Sequence, residues 1–188
     1  DFENQVVVDI ETPSELSFYN LNGLSSANSI QADIMYELFD RFDVKAAYKI
    51  NDVHTTYNGE EKISPLTPKN RALVNISYAT NFDKWMFDFT INRIGESRIP
   101  DYYISGGNNG VGFRDIVDEH FSNPFYLLNA QVTKKFKNFS VYVGGENLLS
   151  YTQENPIIDA ENPFSSDFDA SLIYAPVMGR MIYTGLRY

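Results

Sequence analysis

Residues 71–92 read RALVNISYATNFDKWMFDFTIN. Ala72, Val74, Ile76 and Tyr78 share one parity, and Arg71, Leu73, Asn75 and Ser77 the other. After a short polar interruption, Trp85, Phe87, Phe89 and Ile91 alternate in the same way with Met86, Asp88, Thr90 and Asn92. A period of two puts one set on each side of a pleated strand, so the stretch predicts two antiparallel strands, apolar on one face only. The pattern continues outward in both directions. Upstream, Ile30, Ala32, Ile34, Tyr36 and Leu38 alternate with Gln31, Asp33, Met35 and Glu37, and Val44, Ala46, Tyr48 and Ile50 with Lys45, Ala47, Lys49 and Asn51. Downstream, Tyr126, Leu128, Ala130 and Val132 alternate with Leu127, Asn129, Gln131 and Thr133, and Phe139, Val141 and Val143 with Ser140, Tyr142 and Gly144. An opening segment (Val6, Val8, Ile10) and a closing one (Ile182, Leu186, Tyr188) complete eight strands, predicted over 1–11, 28–38, 42–53, 69–81, 85–94, 125–136, 139–149 and 177–188. Helical periodicity is nowhere sustained.

Connections alternate between short and long. Three short turns place two polar residues between aromatics: Phe39-Asp40-Arg41-Phe42, Phe82-Asp83-Lys84-Trp85 and Phe136-Lys137-Asn138-Phe139. In the second and third both aromatics fall on the apolar parity, as a two-residue hairpin turn requires. Phe39 breaks parity, which predicts a three-residue turn or a bulge. The long connections, 12–27, 54–68, 95–124 and 150–176, hold all 8 prolines, and proline cannot donate to a strand ladder. They also hold 13 acidic and 3 basic residues, so the whole net charge of −10 lies at one end of the strands.

The 188 residues contain no cysteine, which removes disulfide, thiol and Cys-zinc chemistry. An acidic balance is unsuited to a phosphate backbone, because nucleic-acid affinity comes from clustered Lys and Arg. No apolar run is long enough for a transmembrane helix. DFENQVVVDIE lacks a basic and an apolar leader region, so the chain reads as cytoplasmic, a mature form or a fragment. A soluble sandwich would alternate too. Three features decide for lipid: strand lengths that suit a tilted bilayer crossing, short turns at one end with long loops at the other, and aromatics bracketing every short turn as an interfacial girdle. The polar parity then lines a barrel interior, with Asp33, Glu37, Lys45, Lys49, Asp88, Asn92, Asn129 and Gln131 facing the lumen. Pairing the strands beside the first turn sets Asp33 diagonal to Lys45 and Lys49, and Glu37 diagonal to Lys45, a neutralised ladder.

The residues that might carry chemistry are few. Asp115, Asp118, Glu119 and His120 have metal-ligand types at close spacing but no fixed ligand motif, and an acidic solvated loop is the plainer account; no metal or cofactor is expected. Ser122 beside His120 and Asp118 has hydrolase residue types without the spatial constellation, so no enzyme activity is expected. GGNNG at 106–110 lies between no strand and helix, which argues against a phosphate loop. Arg93 and Arg180 sit on the lipid-facing parity near the long-loop end, suited to snorkelling or to lipopolysaccharide phosphates.

GGENLLSYTQENPI (144–157) and APVMGRMIYTGLRY (175–188) resemble the C-terminal strands of TonB-dependent outer-membrane receptors, and NQVVVDIE, FYNLNG, PLTPKNRALVNISY and KWMFDFTINRIGESRIP resemble the strands before them. The resemblance implies an all-β, antiparallel transmembrane β-barrel, this chain being eight C-terminal strands of a 22-stranded barrel whose plug domain is absent. It implies active transport of a scarce, bulky nutrient across the cell outer membrane. The partners would be outer-membrane lipid and lipopolysaccharide, the plug and earlier strands of the same receptor, and the TonB complex through the missing N-terminal part. The four acidic loops would be extracellular, with Tyr57, Asp115, Asp118, Glu119, His120, Glu154, Asp159, Asp167 and Asp169 as ligand-facing candidates. Their field favours a cationic, metal-bearing or neutral ligand over a polyanion. Two alternatives stand beside this reading: a complete eight-stranded barrel with an adhesive or structural role, and an outer-membrane hydrolase using His120. Pairing of 1–11 with 177–188 would mark the small closed barrel.

Overall fold

The computed structural model describes residues 5–11, 15–100, 116–118, 121–154, 156–165 and 168–188, with the backbone alone at 116–118. The chain opens with β1 (Val6–Asp9) and β2 (Ser17–Asn20), which pair with each other in a sheet of their own. Then follow β3 (Ser25–Phe39), β4 (Phe42–Tyr57), β5 (Glu60–Ile63), β6 (Asn70–Ala79) and β7 (Trp85–Ile94). The short β8 (Ile116–Asp118) and β9 (Phe121–Ser122) pair together, before β10 (Phe125–Lys135), β11 (Ser140–Glu146) and β12 (Met181–Arg187). Seven long strands form one antiparallel wall in the order β12-β11-β10-β7-β6-β4-β3, with β5 added against the top of β4.

Two expectations are corrected at the start of the chain. The described part of the expected strand 1–11 does not join the wall, because Val6–Asp9 folds back onto Ser17–Asn20, a stretch expected as loop. Tyr19 fixes that hairpin by donating its hydroxyl to the buried Asp9 carboxylate at 2.7 Å. The wall is open: among the described residues neither β1 nor β3 pairs with β12, so the small closed barrel does not form. The connection 54–68 is also partly strand. Asn58 and Gly59, both at positive φ (49° and 87°), turn the chain so that Tyr57 pairs with Glu60. Asn-Gly is the dipeptide such a tight hairpin prefers.

The three short turns resolve differently from one another. The ladder shifts register between Glu37 and Phe39, and this bulge returns Phe39 to the face of Phe42, with ring centroids 4.6 Å apart. Phe136 and Phe139 stack at the same distance across their turn. The middle turn is longer than the two residues expected. Thr80 and Trp85 close the ladder, with the Thr80 N–H donating to the Trp85 carbonyl and the Trp85 N–H to Thr80 Oγ1. This leaves Asn81–Asp83 as a 3₁₀ turn, with Phe82 at φ 61° and 82% exposed instead of on a strand.

Aromatic contacts nonetheless run across this end of the wall. Phe42 meets Tyr78 (6.1 Å), Tyr78 meets Phe87 (6.3 Å), and Phe87 meets Trp85 (6.4 Å). The Lys134 ammonium bridges onward, 4.6 Å from the Trp85 ring and 5.2 Å from Phe136. On the same parity Ile30, Ile34, Tyr36, Ile50, Phe89, Val143, Ile182 and Leu186 are all exposed. The opposite, polar parity is concave: Asp43, Ser77, Asp88, Gln131, Tyr142 and Tyr183 border a hollow of about 940 Å³.

The concave face is pinned at its C-terminal edge by two reciprocal pairs, Tyr142 opposite Gly185 and Gly144 opposite Tyr183. Each ring lies over the facing glycine so closely that a Cβ would meet Tyr142 Cζ at 2.2 Å or Tyr183 Cζ at 2.5 Å. Aromatic cover of a strand glycine restores the packing that the missing side chain would forfeit. Gly144→Val and Gly185→Val should each destabilise the intact protein by about 1–3 kcal/mol through overpacking. Ser140→Ala beside them should stay within about 0.5 kcal/mol. Guanidinium unfolding in detergent micelles measures the difference.

Candidate functional site: a packed loop roof over a polar hollow

Few apolar residues are buried in the wall itself, and the buried cluster found among the described residues lies in the long loops. Ile99, Ile158 and Leu172 come together there, with Leu66 and Tyr174 packed against them. Residues from the connections 54–68, 95–124 and 150–176 thus share one small core.

Buried polar side chains tie this roof to the strands. Gln153, 4% exposed, donates Nε2 to the Leu172 carbonyl (2.7 Å), while its Oε1 accepts the N–H groups of Tyr174 and Ala175. Asn147, at φ 48°, donates its side-chain amide to the carbonyls of Tyr151 and Met178 and accepts the Tyr151 N–H. Its own N–H donates to Asn129 Oδ1 on the neighbouring strand (3.0 Å). Phe125 stacks on Tyr151 at 4.8 Å. Arg98 and Glu11 form an ion pair with side chains only 7% and 9% exposed, and Arg98 Nε donates to the Ile63 carbonyl at 2.6 Å. This pair fastens the N-terminal hairpin to the loop after β7. Within the hairpin, burial and the Asp9 carboxylate raise the Tyr19 phenol above its ordinary value.

Beneath the roof lies a hollow of about 730 Å³. Its floor is the polar parity of β3, β4, β6 and β7, with Gln31, Lys49, Arg71 and Asn92, and its far side is Ile173 to Pro176.

Neither a protein-family model nor a curated protein sequence matches the chain. Solved structures do. One is an arginine-to-alanine variant of the ferric enterobactin receptor PfeA from Pseudomonas aeruginosa in complex with enterobactin, with a TM-score of 0.58 at 13% identity over 98% of this chain and 27% of that one. Another is the ferric-catecholate import receptor Fiu from K12 E. coli, with a TM-score of 0.54 at 11% identity over 98% of this chain and 23% of that one. The chain has the barrel-wall fold of TonB-dependent receptors. It spans about a quarter of the length of the receptors it matches.

On this wall the expected residues fall in several places. Lys49 and Asn92 border the upper hollow, and Asp88 and Gln131 the lower. Asn129 holds Asn147. Asp33 lies opposite Ala47, and Glu37 opposite Asp43, so both are diagonal to Lys45 as expected from the turn. None of the ion pairs among the described residues joins them. Tyr57, offered as ligand-facing, is 6% exposed and buried at the end of β4. Glu154 is exposed. Asp159 accepts from Ser165 and Asn162 within its own turn, which holds its carboxyl below the ordinary 3.8. Asp169 accepts the Ser171 N–H at 2.7 Å. Asp118 lies in β8, while Asp115, Glu119, His120 and Asp167 lie outside the described residues. Ser122 is buried and accepts the Ser97 N–H, a structural use of its hydroxyl. No cluster of three metal-ligating side chains occurs among the described residues.

Arg98, Glu11, Gln153 and Arg71 carry this arrangement without having been singled out beforehand. Arg71 was recoverable: pairing Phe42 with Tyr78 as girdle neighbours sets Lys49 opposite Arg71. Arg98→Met would leave Glu11 buried without its cation and should destabilise the roof by about 3–5 kcal/mol. Hydrogen exchange in segments 5–11 and 95–100 of the intact protein reads this, and adding Glu11→Leu should recover much of the loss.

Proposed function

We propose that this chain is the C-terminal wall section of a TonB-dependent receptor in the cell outer membrane, importing a scarce, bulky nutrient. The observation that carries the reading is the inverted wall: the apolar parity is exposed or half-exposed along seven strands, while polar residues of the other parity border the hollows. Exposed apolar area of that extent is unfavourable in water, and hydrocarbon removes the cost. The aromatic belt and Lys134 lie where one interface would be, with polar turn residues beyond them. No helix of the described residues is long and apolar enough to cross a membrane; the crossing is made by strands.

In this reading β3 and β12, the ends of the open wall, pair with the remaining strands of the receptor, because lipid cannot satisfy bare edges. The plug and the TonB complex would act through parts of the protein outside this chain. Arg93 and Arg180 would meet lipopolysaccharide, although each already donates within the protein, to Asn70 Oδ1 and to the Leu148 carbonyl. The roof residues, with Glu154, Asp159 and Asp169 around them, would face the arriving nutrient. No catalytic role is assigned to any of them. The similar solved structures are a ferric enterobactin receptor and a ferric-catecholate import receptor by name, which supports transport over hydrolysis.

Charge insertion tests the faces. Ile76 opposes Phe89, and Asn75 opposes Thr90, across β6 and β7. In the full receptor, Ile76→Arg or Phe89→Arg should cost about 2–4 kcal/mol near mid-membrane. Asn75→Arg and Thr90→Arg should cost far less, measured by unfolding of the receptor from lipid vesicles. Greater damage from the second pair would mean that the apolar face packs against protein and the membrane reading is wrong.

A further inference from the structure

The upper hollow has a charge opposite to that of the loops above it. Lys49 and Arg71 face each other directly across β4 and β6, on the polar parity, and both border the 730 Å³ space. Like charges directly opposed destabilise a strand pair, and among the described residues no ion pair offsets this juxtaposition. Three other bases, by contrast, are held by carboxylates. Lys69 pairs with Glu96 at 2.6 Å, Arg41 with Asp83 at 2.7 Å, and Arg98 with Glu11. Arg93, which borders the same hollow, donates to Asn70 Oδ1 at 2.6 Å. No ion pair or hydrogen bond of the described residues engages the Lys49 or Arg71 head group. The carboxylate nearest in register is Asp33, opposite Ala47, and it is shared diagonally between Lys45 and Lys49.

We propose that Lys49 and Arg71 form a subsite for one compact anionic group, a carboxylate or a phosphate, on the transported molecule. The inference rests on the transport reading and adds the chemistry of its ligand. An ammonium and a guanidinium on adjacent strands supply several charge-assisted donors to one oxyanion, and the bound anion relieves their mutual repulsion. Gln31, directly opposite Lys49, and Asn92 add amide donors at the rim of the same space. Phe125, Ile173 and Tyr174 give the hollow an apolar side, suited to a ring or hydrocarbon body. The acidic loops above disfavour a molecule charged all over. The fitting ligand is therefore a largely neutral body bearing a single anionic group.

The test is lysine footprinting on the full receptor purified in detergent at low salt, with citrate and inorganic phosphate as separate probes and glucose as the neutral control. Acylation of each lysine is read by mass spectrometry. Citrate or phosphate should protect Lys49, while Lys84 and Lys137 at the short turns remain equally reactive. Arg71→Gln should raise the protecting concentration about tenfold or more. The two probes separate a carboxylate site from a phosphate site. Absence of protection by both anions, or equal protection in the Arg71→Gln protein, overturns the subsite. Fractionation of cells producing the same receptor reports on the transport reading separately. Protection of Lys49 in a protein absent from the outer-membrane fraction would sink transport and leave the anion site standing, whereas correct location without protection would sink only the subsite.

Discussion

Hydrogen bonding between strands is the interaction on which the rest of this structure depends. A wall whose outer face meets hydrocarbon can find no water for its N–H and C=O groups, so every one must be satisfied along the ladder. That condition explains why the wall strands follow chain order without crossovers and why the prolines stay outside them. It also explains how the turns are finished. Thr80 uses its hydroxyl to accept the Trp85 N–H, and Glu37 uses a carboxylate oxygen to accept the Arg41 N–H, at the places where the ladder runs out. Bulk apolar burial, which organises most folds from within, is here transferred to the surrounding solvent.

Packing in the ordinary sense begins only above the wall. The cluster of Ile99, Ile158 and Leu172 is small, and the polar groups buried with it do much of the fastening. Gln153 spends both ends of its amide on the backbone of 172–175, and Asn147 binds its own strand end to two loop carbonyls. Buried amides with every partner in place specify one arrangement of the backbone, since each alternative leaves a donor or acceptor unmet. The Arg98–Glu11 pair extends the same logic to the N-terminal hairpin. A roof built this way gives the hollow below it a defined outline, and a defined outline is what selective binding requires.

Charge is distributed in layers along the strands. The loops are acidic, the level of Lys49 and Arg71 is basic, and the level of Glu37, Asp43 and Asp88 is acidic again. Cross-strand register creates these layers, because each collects residues distant in sequence onto one row. A polar parity read along any single strand looks mixed; read across four strands it separates by sign.

Much of the wall was legible in the sequence because its cause is local. Alternation over 42–53, 85–94 and 125–136 assigns each side chain to a face, and the parity break at Phe39 announced the bulge between Glu37 and Phe39. Asn58-Gly59 carries an equally local turn signal, within the connection 54–68 expected as loop. The remaining differences are matters of partnership. Val6–Asp9 alternates like a wall strand but folds onto Ser17–Asn20, and Phe82 matches its sister turns in composition but is displaced by the Thr80–Trp85 closure. Tyr57, Asp159, Arg98 and Gln153 could not be sorted into exposed and structural residues, because that depends on which loops meet above the barrel wall. Period and turn chemistry act between neighbours in sequence and so determined the strands and their faces. Contact between loops acts across space, and tertiary structure alone decided which loops would meet above Lys49 and Arg71 to complete the hollow they border.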